Sequence, residues 1–242
     1  MNPHGWLQPI SLIFVALMLV VVFAVLFWRR MATGNSRTNP TVPLHAPIHD
    51  IVAPASGWEA NERHTAVFAG GCFWGVQSVF QRVKGVTTTT AGYAGGDSAT
   101  AIYRAVCSMN TGHAEALEIV YDPALVSFGT LLRIFFSVVH DPTQLNRQGA
   151  DSGTQYRSAI FYTTEEQRET AQAYVEQLDA AHVFSAPIVT QIAPLIEFFP
   201  GEDYHQDYAL KNPHNPYIQV CDIPKIASLK QQFPDLFQEY TL

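Results

Sequence analysis

Two adjacent glycines mark where the apolar pattern of this chain changes period, and that change dictates the local fold. Thr65-Ala-Val-Phe-Ala69 has strand character and stops at Gly70–Gly71. Beyond Cys72, residues Val76, Val79, Phe80 and Val83 fall at the i, i+3, i+4, i+7 spacing of one helix face. Lys84 and Gly85 close that helix with a cation in the last turn and a residue able to take positive φ. The order is strand, tight turn, helix, and Cys72 sits at the junction.

The same alternation continues downstream. Val86 to Thr90 is β-branched, and Ala116 to Tyr121 is an apolar strand closed by Asp122–Pro123. Ser127 opens a helix carrying Leu131, Leu132, Phe135, Phe136 and Val139, which ends near His140-Asp-Pro142. Ser158 to Tyr162 is a strand, and Thr164-Glu-Glu-Gln167 is a capping box that starts a helix to about Ala181. Ile188 to Ile196 is expected as the last long strand, and Pro224 to Phe233 as the final helix. Strands interleaved with helices predict an α+β or α/β sandwich with helices packed on a sheet.

The N-terminus obeys a different rule. From Ile10 to Trp28 the only polar residue is Ser11, and Arg29–Arg30 follow. A run of that length spans a bilayer as a transmembrane helix. No Lys or Arg precedes it and no small-x-small site follows, so residues 1–30 are expected as an uncleaved anchor rather than a signal segment. The arginines place the catalytic domain in the cytoplasm, with the extracytoplasmic side as the alternative. Residues 31–64, with Pro40, Pro43, Pro47 and Pro54, are expected as a flexible linker, and residues 65–242 as the domain.

Charge narrows the partners. The chain carries a formal −7 and has only 14 Lys and Arg against 21 Asp and Glu. No basic face is available for nucleic acid. Three scattered cysteines, Cys72, Cys107 and Cys221, exclude a disulfide scaffold or a Cys-rich zinc site. His205, His214 and Cys221 offer ligand types for a metal but no tightly spaced pair.

Candidate chemistry gathers in three segments. Cys72, in Gly70-Gly-Cys-Phe-Trp-Gly75, faces the unpaired N–H groups and positive dipole end of a helix, which predicts a lowered thiol pKa. Phe73 and Trp74 can wall an apolar pocket, although a buried structural cysteine with two core aromatics fits the same spacing. Glu115, in Thr111-Gly-His-Ala-Glu115, is expected in the turn before the Ala116 strand, desolvated enough to stay protonated near neutral pH. Gly149-Ala-Asp-Ser-Gly-Thr-Gln-Tyr-Arg157 is a polar loop whose Asp151 and Tyr156 are able to hydrogen-bond a small substrate. Solvated turn residues and an ordinary connecting loop are the competing readings of the last two segments.

Taken together, the segments resemble the A-class peptide methionine sulfoxide reductases. The likeness runs through Gly71-Cys-Phe-Trp-Gly75, Ala91-Gly-Tyr-Ala-Gly-Gly96, Thr111-Gly-His-Ala-Glu115, Tyr121-Asp-Pro123, His140-Asp-Pro142, Gly153-Thr-Gln-Tyr-Arg-Ser158 and Tyr204-His-Gln-Asp-Tyr208. It implies a two-layer sandwich around a mixed sheet and reduction of the S epimer of methionine sulfoxide, free or in proteins, without metal or bound cofactor. By that resemblance Cys72 attacks the sulfur and Glu115 protonates the oxygen. Tyr103 and Tyr156 hydrogen-bond that oxygen, Asp151 helps hold the site, and Phe73 and Trp74 receive the ε-methyl group. Cys72 is left as a sulfenic acid for an external, thioredoxin-type thiol to reduce. A monomer acting on oxidised proteins or peptides is expected.

The recycling thiol is where the chain departs from the pattern. The tail Asn212-Pro-His-Asn-Pro-Tyr-Ile-Gln-Val-Cys221 lacks the glycines that surround recycling cysteines in relatives. Cys221 is either a resolving thiol in a shifted position or a buried side chain alternating with residues 218 and 220. Direct reduction by an external thiol is the expectation. The competing class is a Cys–His thiol hydrolase or acyltransferase drawing on His113, His140, His205 or His214. A third class binds or senses sulfoxide without turnover.

Overall fold

A computed structural model of the protein describes residues 43–108 and 110–241. Its centre is a six-stranded sheet in the order β7-β6-β1-β3-β2-β8. The strands are β1 (His64–Gly70), β2 (Val86–Ala94), β3 (Ala114–Tyr121), β6 (Ser158–Tyr162), β7 (Gln191–Pro194) and β8 (Phe198–Pro200). All neighbours pair antiparallel except β6 with β7, so the sheet is mixed. A small hairpin, β4 (Arg147–Gln148) with β5 (Asp151–Ser152), stands apart from it.

Alternation along β1 explains the layering. Ala66 and Phe68 enter the main core, whereas Val67 and Ala69 join a smaller cluster on the opposite face with Ala116, Ala159 and Phe161. Phe68 packs its ring against Phe80 of α1 (Phe73–Phe80) at 5.8 Å and Phe128 of α3 (Phe128–Ile134) at 5.9 Å. Phe135, in the π-turn Phe135–Val139 that continues α3, lies 4.9 Å away. Helices therefore cover the Phe68 face of the sheet, joined there by α4 (Glu165–Ala180) and α6 (Ile223–Gln232). Two short helices, α2 (Tyr103–Val106) and α5 (Tyr208–Lys211), lie in the connections.

Local signals placed several boundaries. Ser127 caps α3 by accepting from the Thr130 N–H at 3.1 Å, and Thr164 caps α4 by accepting from Gln167. Four expectations need correction. Helix α1 ends at Phe80 with Gln81 as its C-cap, not at Lys84–Gly85, and Val83 beyond it bridges to Phe237. β3 begins at Ala114, because the Tyr93↔Glu115 pairing with β2 carries the ladder through residues expected in a turn. The long strand expected over Ile188–Ile196 is the four-residue β7, since its parallel pairing with β6 lasts only from Gln191 to Pro194. Cys221 lies in a π-helical segment, Ile218–Asp222, not in an extended strand; Val220 beside it is 68% exposed.

The proline-containing stretch expected as a flexible linker is fastened to the domain where it is described. Leu44 is buried, its N–H donates to Ser137 Oγ, and its carbonyl accepts from the Arg133 guanidinium. Tyr174 donates to the His45 carbonyl at 2.8 Å. Asp50 accepts from Ser127 Oγ at 2.6 Å and from the Gly129 N–H at 2.7 Å, a second, carboxylate cap on α3. The expected span over residues 10–28 lies outside the described residues. Among the described residues no helix is long and apolar enough to cross a membrane.

Candidate active site

The site is built where β1 gives way to α1. Gly71 takes φ +94°, and a Cβ there would fall 2.7 Å from Gln148 Cγ, so only glycine permits this turn beside β4. Cys72 is thereby placed as the N-cap of α1, with Phe73 as the first helical residue. The Cys72 side chain is 8% exposed.

Burial reverses the expected thiol chemistry. The Cys72 pKa is raised well above its ordinary value, first by desolvation, then by the facing Glu115 and Asp222 carboxyl groups. A hydrogen bond from the Trp74 backbone opposes this, and Asp151 adds to it. The lowered value expected from the helix end is not realised, first because the thiol is buried and then because carboxyl groups from distant segments face it.

Glu115 lies mid-sheet on β3, pointing to the helix-covered face. It is 2% exposed, and its Oε2 accepts from the Phe73 N–H at 3.0 Å. Burial pushes its pKa up to about 8, against the Phe73 hydrogen bond and the Cys72 thiol, while Asp151 adds to the rise. At neutral pH the group is mostly a carboxylic acid, able to give a proton. Tyr156, at the end of the turn Thr154–Tyr156, is pushed up by burial and then by Glu115, Cys72 and Asp151. Tyr103, the first residue of α2, is pushed up by burial, by its hydrogen bond with Cys107, and then by Glu115 and Cys72. Asp151, on β5, accepts a hydrogen bond from the Tyr217 hydroxyl. Cys72, Glu115, Tyr103, Tyr156 and Asp151 thus converge on one place.

The aromatic walls differ from each other. Phe73 is 1% exposed and packs 5.8 Å from the Tyr93 ring and 4.9 Å from His205. Trp74 stacks on Tyr208 at 3.8 Å with an 11° interplanar angle, and its Nε1–H donates to His205 Nδ1 at 3.1 Å. Several positioning groups escaped sequence reasoning. Glu202 accepts from the Tyr103 N–H and the Tyr93 hydroxyl, at 2.9 and 2.8 Å. Gln206 bonds both the N–H and the carbonyl of Ala91, and the Asp207 N–H donates to Gln77 of α1. The Tyr204–Tyr208 motif was visible in the sequence, but the roles of its members come only from contacts over a hundred residues away. Tyr217 and Asp222 carried no sequence signal at all.

The histidines do not make a hydrolase. His140 donates from Nδ1 to the Phe135 carbonyl at 3.1 Å, so its Nε2 accepts from Ser158 Oγ at 2.7 Å, and burial lowers its pKa to about 4. His205 is bonded to Trp74, the His113 Nε2–H donates to the Asp97 carbonyl, and His214 is exposed. The Cys–His alternative is set aside on this ground. Cys72, Cys107 and Cys221 are all thiols, with Cys107 and Cys221 half-buried. Among the described residues no group of three or more His, Cys, Asp or Glu side chains is arranged to hold a metal ion.

A thiol at the N-cap of α1 and a protonated carboxyl group bonded to the first N–H of that helix lie side by side, and among the described residues no imidazole is bonded to either. A family model described as peptide methionine sulfoxide reductase matches residues 64–236, and the chain belongs to that family. It is 56% identical over 175 residues to peptide methionine sulfoxide reductase MsrA 2 of Mesorhizobium japonicum, covering 72% of this chain and 90% of that one. It is 52% identical over 206 residues to MsrA 2 of a Synechocystis species, covering 85% and 95%. Among solved structures, reduced Mxr1 from Saccharomyces cerevisiae is similar at a TM-score of 0.59 and 31% identity, covering 68% and 92%. Methionine sulfoxide reductase A of Corynebacterium diphtheriae is similar at 0.55 and 35%, covering 74% and 88%.

Proposed function

We propose that this chain reduces the S epimer of methionine sulfoxide, free or in oxidised proteins, to methionine. The observation that carries this reading is the buried Glu115, protonated up to about pH 8 and bonded to the backbone N–H of the residue after Cys72. A sulfoxide oxygen leaves sulfur only when protonated, and a sulfur nucleophile must be at hand. Cys72 attacks the sulfoxide sulfur while Glu115 delivers a proton to the oxygen. Tyr103 and Tyr156 hold that oxygen, and Asp151, fixed by Tyr217, keeps the polar wall in place. Phe73 and Trp74 give the ε-methyl group an apolar wall. The oxygen passes to Cys72, which becomes a sulfenic acid, and the thioether departs. Two external thiols, such as those of a thioredoxin-type protein, then become a disulfide with loss of water and restore the Cys72 thiol.

The test incubates the full chain with the separated S and R epimers of a methionine sulfoxide peptide and dithiothreitol, with Cys72→Ser as control. Multiple turnovers on the S epimer alone, absent in the variant, are expected. Turnover on neither epimer overturns the reading.

We further propose that residues 10–28 anchor the chain in a membrane, with the catalytic domain on the cytoplasmic side. The support is the apolar length of that run and the arginines that follow it. A C-terminal reporter active in one compartment only tests the side. Recovery of the chain in the soluble fraction overturns the anchor.

A further inference from the structure

Tyr103 enters the site from a long connection, and one turn far along the chain grips it at both backbone and ring. Residues 95–113 join β2 to β3 and carry α2. Within that connection Ala105 and Val106 donate to the Ile102 carbonyl and Cys107 to that of Tyr103, bonds that do not fasten α2 to the sheet. Ile102, the N-cap of α2, supplies no side-chain cap. The Tyr103 N–H, which a helix start leaves without a partner of its own, donates to Glu202 Oε1 at 2.9 Å, across 99 positions. The Tyr103 ring packs 4.5 Å from the ring of His205. Glu202 is the N-cap of the turn Asp203–His205, and His205 is its last residue. That turn is riveted to β2 on both sides. Before it, Pro200 pairs with Gly92, and the Gly201 N–H donates to the Ala91 carbonyl at 2.8 Å. After it, Gln206 accepts from the Ala91 N–H at 2.9 Å and donates to the Ala91 and Gly201 carbonyls at 2.8 and 3.0 Å. The second oxygen of Glu202 accepts from the hydroxyl of the buried Tyr93 at 2.8 Å and lies 4.0 Å from His205 Nε2.

We propose that Glu202 is a positioning residue for the reduction: by holding the start of α2 against β2 it sets where the Tyr103 hydroxyl meets the sulfoxide oxygen. This rests on Tyr103 holding that oxygen, as proposed above. Val106 is buried in the main core and keeps α2 on the domain, but an apolar contact is non-directional and does not fix how a four-residue helix is turned. The Glu202 bond is directional, and its post does not move with the connection. A donor that stabilises charge developing on an oxygen works when it is aimed before the reaction begins. A misplacement of about 1 Å costs up to about 10²-fold. With one oxygen on the Tyr103 N–H and the other on Tyr93, Glu202 acts through Tyr103 and not on the substrate.

The experiment is a double-mutant cycle in the full chain, read as single-turnover reduction of the S epimer of a methionine sulfoxide peptide. Glu202→Ala is expected to slow this step by about 10- to 10²-fold. Glu202→Gln keeps an oxygen for the Tyr103 N–H and offers an amide N–H to the Tyr93 hydroxyl, so it is expected to restore most of the rate. In a Tyr103→Phe background, which lacks the hydroxyl, Glu202→Ala is expected to add no further loss, whereas in a Tyr156→Phe background its loss persists. An equal loss in the Tyr103→Phe background, or an unchanged rate in Glu202→Ala, overturns the proposal. If Glu202→Ala does not fold, Glu202→Asp, one methylene short of the Tyr103 N–H, decides by the same comparison. Amide hydrogen exchange of the peptide holding Tyr103 reads the tie without turnover: the same variant is expected to speed it, and unchanged exchange overturns the proposal. A parent chain that reduces neither epimer counts against the reaction, and unchanged exchange counts against Glu202, so the two failures are read apart.

Discussion

The backbone N–H of Phe73 donates to Glu115 Oε2 at 3.0 Å, tying the first residue of a helix to the middle of the sheet beneath it. This bond brings the Glu115 carboxyl group beside Cys72, because Cys72 precedes Phe73 directly. Two elements that the chain separates by 42 positions are thereby held together.

Glu115→Gln keeps the shape and the Phe73 bond but cannot donate an acid proton. Loss of a positioned general acid costs about 10²–10⁴-fold, so single-turnover reduction is expected to fall in that range. In the parent enzyme the rate should decline as pH rises through about 8, where Glu115 ionises. Stability follows the same sign. A carboxyl group with a folded pKa raised above the unfolded value contributes stability that is present below the unfolded value and lost as pH rises through the folded one. Urea unfolding at pH 6 and pH 9 should therefore show a drop for the parent protein and a smaller drop for Glu115→Gln.

His140 gives the opposite pH dependence. Its pKa, about 4, lies below that of an unfolded histidine, so its contribution is present above about pH 6.5 and lost as pH falls through 4. His140→Gln should flatten acid unfolding over that window while retaining sulfoxide reduction. A hydrolase using His140 as its base would lose all activity.

These two residues show how far the sequence carries. Strand β1, helix α1, strand β6 and the caps at Ser127 and Thr164 were legible because period, glycine and cap chemistry act within a few residues. The clustering of polar groups around Cys72 was legible through motifs rather than physics. The sign of the Cys72 shift was not, because the helix end is visible locally whereas the burial of the thiol, and after it Glu115 and Asp222, come from segments 43 and 150 positions away in the numbering. β3 was expected two residues late because Gly112 and His113 look like a turn, and only pairing with β2 shows the ladder continuing to Ala114. The role of Asp50 was hidden for the same reason: nothing near it in sequence announces the helix it caps.

That cap is measurable. Asp50→Ala removes a carboxylate bonded to Ser127 Oγ and the Gly129 N–H, and loss of a helix cap costs about 0.5–2 kcal/mol. For a domain of this size each kcal/mol lowers the Tm by roughly 2–4 °C. Thermal unfolding should show that decrease with kcat unchanged, since Asp50, in the N-terminal segment, bonds to the start of α3 and to none of the residues around Cys72. An unchanged Tm would mean that the segment holding Leu44 and Asp50 adds nothing to the domain.

Cys221→Ser addresses recycling. Cys221 sits in the π-helical segment directly before Asp222, half-buried. With direct reduction of the Cys72 sulfenic acid by an external thiol, thioredoxin-supported turnover should stay within about twofold of the parent. A burst of one equivalent followed by arrest would make Cys221 the resolving thiol.

Gly75→Ala sets two known effects against each other. Replacing a helical glycine by alanine favours the helix by about 1 kcal/mol. Here the new methyl would lie 2.1 Å from Asp222 Oδ1 and 2.9 Å from Asp222 Cγ, against a side chain that is 0% exposed. Overpacking a closed site costs about 1–3 kcal/mol, and displacing a buried carboxylate from Lys225, 3.5 Å away, adds to that. The clash wins, so a net loss of stability is expected in urea unfolding. The double variant with Asp222→Ala opens the space the methyl needs, and should then be more stable than the two single effects sum to. Additive effects would show that Gly75 and Asp222 are not in contact in solution.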